Sequence, residues 1–200
     1  INMHLSEEHS GKVVVYDNEA GGYRICQKSQ LETGLQQKDI LVISKILLES
    51  RGLNFEETQI LIRKLINHCD KKEHSFMKRM IGNEVENYIA PKHGKSLIEK
   101  IWQIHNAINE QRKLKISYHR IGYDGLIETK AKERVVFPQA VLFNEYYFYL
   151  CADIEGKEYD YPTIFRMDRI ESYQFLKEHF RINYAQRFKE GEFRKITQFM

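Results

Sequence analysis

The period of the hydrophobic pattern changes at Lys113, and that change constrains the fold more than any other feature of the chain. Before it, Leu97, Ile101, Ile104 and Ile108 recur every three or four positions, one stripe of a helix that runs out near Arg112. After it, Leu114, Ile116 and Tyr118 alternate with Lys115, Ser117 and His119, which is the period of a strand. Gly122 to Gly125 supply a turn, and Lys130 to Phe143 form a second extended region broken by Pro138, the mark of a bulge or a sheet edge. Asn144-Glu145 turns into Tyr146–Ala152, and the Glu155-Gly156 turn leads on to Thr163–Leu176. Four to five short antiparallel strands behind one helix call for a small, strongly bent barrel or sandwich.

Upstream the pattern is helical. Asp39 is placed to cap a first helix carrying Ile40, Ile43 and Leu47, with Gly52 just past its end. Asn54, with Glu57 three residues on, opens a second carrying Ile60, Leu61 and Leu65. A third runs from about Glu73 to Tyr88 through Met77, Ile81 and Val85. Pro91 and Gly94 break the pattern, and Ser96-Leu-Ile-Glu99 reads as a capping box opening the helix before Lys113. At the front, Lys12–Tyr16 and Tyr23–Cys26 are β-rich runs around Gly21-Gly22, a hairpin signature. The hairpin is either a lone ribbon packed on the next domain or the wing of a winged helix-turn-helix. Because the sequence starts on Ile1, it reads as a piece cut from a longer protein. The fold class is therefore α+β: an N-terminal hairpin, a helical bundle, then a small antiparallel barrel or sandwich.

Composition narrows the function. A chain of 200 residues with 42% hydrophobic and 12% aromatic residues can build a core, and 30% charged residues favour a water-soluble protein. No run of about 18 apolar residues offers a membrane span. The net charge of +3 permits nucleic-acid binding without indicating it. Three cysteines, Cys26, Cys69 and Cys151, are far apart and fit a reducing cytoplasm. Gly94-Lys95-Ser96 mimics the end of a phosphate-binding loop, but the position five residues before Gly94 is Ile89 and no strand precedes it. His68, Cys69 and His74 lack the second pair that a zinc site needs. No nucleophile motif and no paired carboxylates stand out, so the chain reads as a non-enzyme without cofactor or metal.

Five segments, in order, resemble the WYL domain of bacterial transcriptional regulators: Ile104–Ile108, Leu114–Tyr118, Arg134–Pro138, Phe148-Tyr149-Leu150 and Phe165–Ile170. The naming triplet falls on Phe148, Tyr149 and Leu150, with phenylalanine in place of tryptophan. The family often carries a further arginine where this chain has Thr163. The resemblance covers about residues 100–176 and implies an Sm-like, SH3-type barrel. It also implies a domain plan: residues 1–27 the remnant of a winged helix-turn-helix, 28–94 a helical connector, 95–177 the WYL barrel with its leading helix, and 178–200 a linker and the first strand, Phe193–Met200, of a C-terminal extension. The implied function is effector sensing, with single-stranded nucleic acid or a nucleotide as effector, operator DNA bound through the N-terminal domain, and a homodimer.

Alternation places Phe148 and Leu150 on one face and Tyr149 on the other, with Arg166 opposite Phe165 and Met167. Tyr149 and Arg166 then leave the core together, a ring for stacking beside a fork for phosphate. Pairing of Arg166 with Asp168 or Glu171 is the competing reading. Arg134 and Arg169 match motif positions, although alternation puts Arg169 with the core-facing set, where it could equally be a structural ion pair. Tyr118 is either a core tyrosine or an effector contact. Ser117 and His119 complete the candidates. A dimerisation or protein-docking module, with arginines that only solvate the surface, is the alternative function.

Overall fold

The computed structural model describes residues 12–17, 21–27, 35–69 and 71–181. Strands β1 (Lys12–Asp17) and β2 (Gly22–Gln27) form an antiparallel hairpin in register from Lys12↔Gln27 to Asp17↔Gly22, with Gly21 at φ 64° in its turn. Tyr16 and Tyr23 face each other across it edge to face. The expected strand at Phe193–Met200 lies outside the described residues.

Three helices follow: α1 (Gln37–Ser50), α2 (Phe55–Ile66) and α3 (Lys71–Glu86). They share a core of Ile40, Leu48, Ile62, Ile66, Met77 and Ile81; Ile40, Met77 and Ile81 are as expected, whereas Ile43 and Ile60 of the expected stripes lie exposed and the buried line of the first two helices runs through Leu48, Ile62 and Ile66. Two end signals differ from expectation. Asp39 does not cap α1 as its first flanking residue; that place belongs to Gln36, whose N–H donates to the Asp39 carboxylate from one turn inside the helix. At the other end Arg51, not Gly52, takes the left-handed conformation, with φ 48°. Gly52 is glycine for another reason: a Cβ there would lie 2.6 Å from Phe143 Cε2 and 3.2 Å from Phe148 Cε2.

Helix α4 (Ile98–Asn109), with Leu97 just before its first turn, lays Ile104 and Ala107 on a five-stranded antiparallel sheet of order β6-β5-β4-β3-β7. The strands are β3 (Arg112–Tyr118), β4 (Lys132–Asn144), β5 (Tyr147–Ile154), β6 (Thr163–Arg166) and β7 (Ile170–His179), with a single 3₁₀ turn, Met167–Arg169, between the last two. The edge strands β6 and β7 do not pair, so the sheet is open and the expected closed barrel is not formed by hydrogen bonding. Pro138 sits in a central strand, not at an edge. The β4–β5 register shifts between Pro138 and Ala140, a bulge that accommodates the missing N–H. The bulge also swaps faces. Val136 points into the main core before it, whereas Ala140 and Leu142 after it join Cys151 in a small second cluster with Tyr149 and Ile164.

The bundle and the sheet are joined through the α1–α2 turn. Leu53 is part of the sheet's core, and Tyr88 donates its hydroxyl hydrogen to the Leu53 carbonyl at 2.7 Å. The start of α4 is a further correction. Ser96 does not cap it. The Glu57 carboxylate of α2 accepts from Leu97 N–H at 2.8 and 3.0 Å and from Ile98 N–H at 2.9 Å. Asn54 caps α2 as expected, accepting from Glu57 N–H at 2.8 Å, but Glu57 does not reach back to it. Ser96 instead accepts from Asn54 Nδ2 at 3.0 Å. Among the described residues no helix is long and apolar enough to cross a membrane.

Candidate functional site

The candidate residues separate into three places. The first is the outer face of β3. Ser117 donates to Glu171 Oε2 at 3.4 Å. His119 holds the Glu128 carbonyl through Nδ1 at 2.8 Å, and its Nε2 lies 3.6 Å from Glu171 Oε1. Lys115 pairs with Glu133 at 2.8 Å. This face is a mesh of solvated ion pairs, and surface pairs of this kind contribute about 0–1 kcal/mol each.

The second place is the end of β6. Tyr149 and Arg166 are directly opposite across the β5–β6 ladder and leave the main core together, as alternation requires. The guanidinium has partners besides Tyr149. It runs along the strand to Asp168, donating from Nε at 3.0 Å and Nη2 at 2.8 Å, and covers the Tyr147 ring at 3.5 Å from its centroid. The 3₁₀ turn brings Asp168 back beside Arg166, where it accepts two charge-assisted bonds. Asp168 is only 6% exposed. Burial works to lower the Arg166 pKa, but the bonds and charge of Asp168 leave it raised. Burial pushes the Tyr149 hydroxyl up, against the pull of Arg166.

His93 approaches the same corner from the loop before α4, its ring 6.4 Å from that of Tyr147. Its Nδ1 accepts from Lys95 N–H at 3.0 Å, which leaves the proton on Nε2, a buried atom with no hydrogen-bond partner among the described residues. Burial lowers its pKa, opposed by Asp168 and assisted by Arg166 and Lys95. Arg169 lies in the 3₁₀ turn, where strand alternation ends, so its awkward place in the core-facing set disappears. Its Nε is buried without a partner among the described residues, and its carbonyl accepts from His119 N–H.

The third place is a cavity of about 620 Å³ at the end of the sheet's inner face. Tyr118, Arg134, Ile154 and Phe165 line it from the strands, and Arg120, Tyr159, Asp160, Tyr161 and Thr163 from the adjoining loops and the start of β6. Arg134 faces inward because its cross-strand partner is the fully buried Ile116. Tyr118 serves both of its readings. It is 9% exposed and packs edge to face on Phe165, yet it lines the cavity, and its hydroxyl accepts from Arg166 N–H at 3.3 Å. Tyr118 and Arg134 are thus brought together, whereas Tyr149 and Arg166 form a separate corner. Arg120, Tyr159 and Tyr161 were not among the residues the sequence singles out. They sit in loops, where no period distinguishes a working side chain from a solvated one. The only signal for them was an aromatic pair flanking Asp160 in a turn-rich connection.

An α-helix laid on an open antiparallel sheet, with an arginine- and tyrosine-lined cavity at one end, defines the class: a small α+β domain with a ligand-sized hollow at the sheet's end. Residues 99–175 match the WYL domain family. None of the curated proteins matches the chain. Among solved structures, proteasome accessory factor B/C (PafBC) of Arthrobacter aurescens is similar at 15% identity with a TM-score of 0.35, covering 84% of this chain and 25% of that one. This chain thus spans about a quarter of that protein's length, and a likeness of this size carries no argument about fold or function.

Proposed function

We propose that this chain is the ligand-sensing regulatory part of a bacterial DNA-binding transcriptional regulator, and that its effector is a single-stranded nucleic acid or a nucleotide-like anion held in the cavity at the end of the sheet. The observation that carries the reading is the pairing of Arg134 and Arg120 with tyrosine rings in one hollow. Neither guanidinium has an ion pair or hydrogen bond among the described residues. A forked donor for phosphate beside rings for stacking is what a nucleotide needs. The volume falls in the span of about 300–1,000 Å³ usual for small-ligand sites. Arg166 contributes less on this reading, because Asp168 already holds two of its N–H groups. The wider protein would place operator DNA on a winged helix-turn-helix ending at residue 27, pass the signal through the helices of 28–94, and work as a homodimer in the cytoplasm. Residues 178–200 would lead into a further domain.

The test is the affinity of a short fluorescent single strand as a function of salt. Two phosphate contacts predict a log–log slope near about −1.4, at about −0.7 per contact. Arg134→Ala should weaken binding and flatten the slope, and Arg166→Ala should do so less. An absence of binding at low salt, or binding indifferent to Arg134→Ala, refutes the proposal.

A further inference from the structure

The two loops that rim the cavity differ in character, and the difference orients the ligand. The β3–β4 loop brings a cation, Arg120, beside Ile121. The β5–β6 loop brings Tyr159, Asp160 and Tyr161. Both tyrosines are large rings left in water, 60% and 61% exposed, and neither belongs to a strand or to a packed cluster. Asp160 between them is a carboxylate, so this side of the rim repels phosphate. It suits a nucleobase, whose N–H groups a carboxylate can accept and whose faces a phenol ring can cover. The phosphate belongs with the cations of the lining, Arg134 on β4 and Arg120 in the β3–β4 loop. A cavity lined by charge alone would bind any polyanion; rings concentrated on one lip make it sense bases.

We propose that Tyr159 and Tyr161 are base-stacking residues of the effector site and that they make it selective for single-stranded nucleic acid over other polyanions. The inference rests on the reading of the cavity as an effector site and adds to it which residues read the base and where the phosphate lies. It also accounts for residues that no strand pattern or core requires. In a loop with no packing role, two tyrosines in three positions expose apolar area that stacking would cover.

The probes are a fluorescein-labelled oligothymidylate of about ten nucleotides, within the span a small single-strand site covers, and an abasic strand of equal length and charge. Tyr159→Ala and Tyr161→Ala should each weaken oligothymidylate binding on the order of ten- to a hundred-fold, the size of one aromatic–base stack. The phenylalanine variants should stay close to wild type, since stacking needs the ring and not the hydroxyl. The abasic strand should bind wild-type protein about as poorly as oligothymidylate binds the double alanine variant. If the alanine variants bind normally while Arg134→Ala does not, the stacking assignment is wrong and the effector site stands. If the abasic strand binds as well as oligothymidylate, the site reads phosphates alone and the proposal falls. If wild-type protein binds neither strand at low salt, the site and the stacking assignment fall together.

Discussion

Removing the Glu57 carboxylate is the sharpest test of how the bundle and the sheet are held together. That group accepts the N–H groups of Leu97 and Ile98 at 2.8–3.0 Å, at the start of the helix that lies on the sheet. In Glu57→Ala the two donors differ in what they can do. Ile98 is exposed, and water can replace its partner, so that loss is about the cost of a missing cap, ~1 kcal/mol. Leu97 is 1% exposed, and an N–H left unsatisfied there costs about 1–3 kcal/mol. A negative charge at a helix N-terminus adds about 0.3–1 kcal/mol, which is also lost. These terms overlap, and a destabilisation of about 2–3 kcal/mol is expected. In a chain of this length each kcal/mol lowers Tm by about 2–4 °C, so the variant should melt roughly 4–12 °C early. Trp102, the single tryptophan, lies on the capped helix, and its fluorescence during urea unfolding reads the event where it happens. Glu57→Gln keeps an acceptor oxygen and loses the charge, so it should fall between. Ser96→Ala removes only the acceptor of Asn54 Nδ2 and should cost less than Glu57→Ala. The reasoning is refuted if Glu57→Ala melts with wild type, or if Ser96→Ala is the more damaging of the two.

Three further outcomes follow from the same packing. Gly52→Ala puts a Cβ 2.6 Å from Phe143 Cε2 and should cost about 1–3 kcal/mol in a urea melt; combined with Phe143→Ala, the total should be less than the sum of the two single changes. Asp168→Ala leaves Arg166 without its anion. Breaking a buried pair costs about 3–5 kcal/mol, and because the Arg166 side chain keeps 22% of its exposure, about 2–3 kcal/mol is expected, with the Arg166→Ala, Asp168→Ala double variant recovering part of it. His93 has its folded pKa lowered from 6.5 by burial, so as pH falls below that value the unfolded chain takes the proton first and stability drops until the folded value is passed. Thermal melts of wild type and His93→Gln between about pH 7 and pH 5 should therefore diverge, wild type losing more, and parallel curves would contradict the burial of this ring.

The elements of the fold were legible because each is written locally. A stripe at helical spacing or an alternation of two can be seen in a dozen residues, and the switch at Lys113 places the helix before the sheet correctly. Pro138 announced a bulge or an edge, since its missing N–H interrupts a ladder, and the structure has the bulge. What failed was written over distance. Ser96 has the right residue type three positions before Glu99, yet the acceptor for the N-terminus of α4 comes from Glu57, forty residues away in the chain. Gly52 looked like a helix stop because glycine often is one, but the left-handed turn fell on Arg51 and the glycine is needed for Phe143, ninety residues on. Local rules name the residue that could serve; only the packed chain decides which one does.

The same distinction moves the weight of the candidate site. Alternation put Tyr149 and Arg166 on one face, and they are there. Facing together does not make a site, because an arginine has a finite number of donors and two faces. Asp168 takes two N–H groups of Arg166, and Tyr147 takes one face of its guanidinium. With the Nε–Nη2 edge already taken, an incoming phosphate would meet only the remaining Nη donors, beside a carboxylate that repels it. Arg134 faces no such competitor. It shares its face of the sheet with the core because Ile116 stands opposite, and at the end of the ladder that face opens into the cavity. Arg134, which the β3–β4 register rather than any sequence signal places on the core face, is the one left with its donors unspent among the described residues, and it is the one whose loss should be felt most by an anionic ligand.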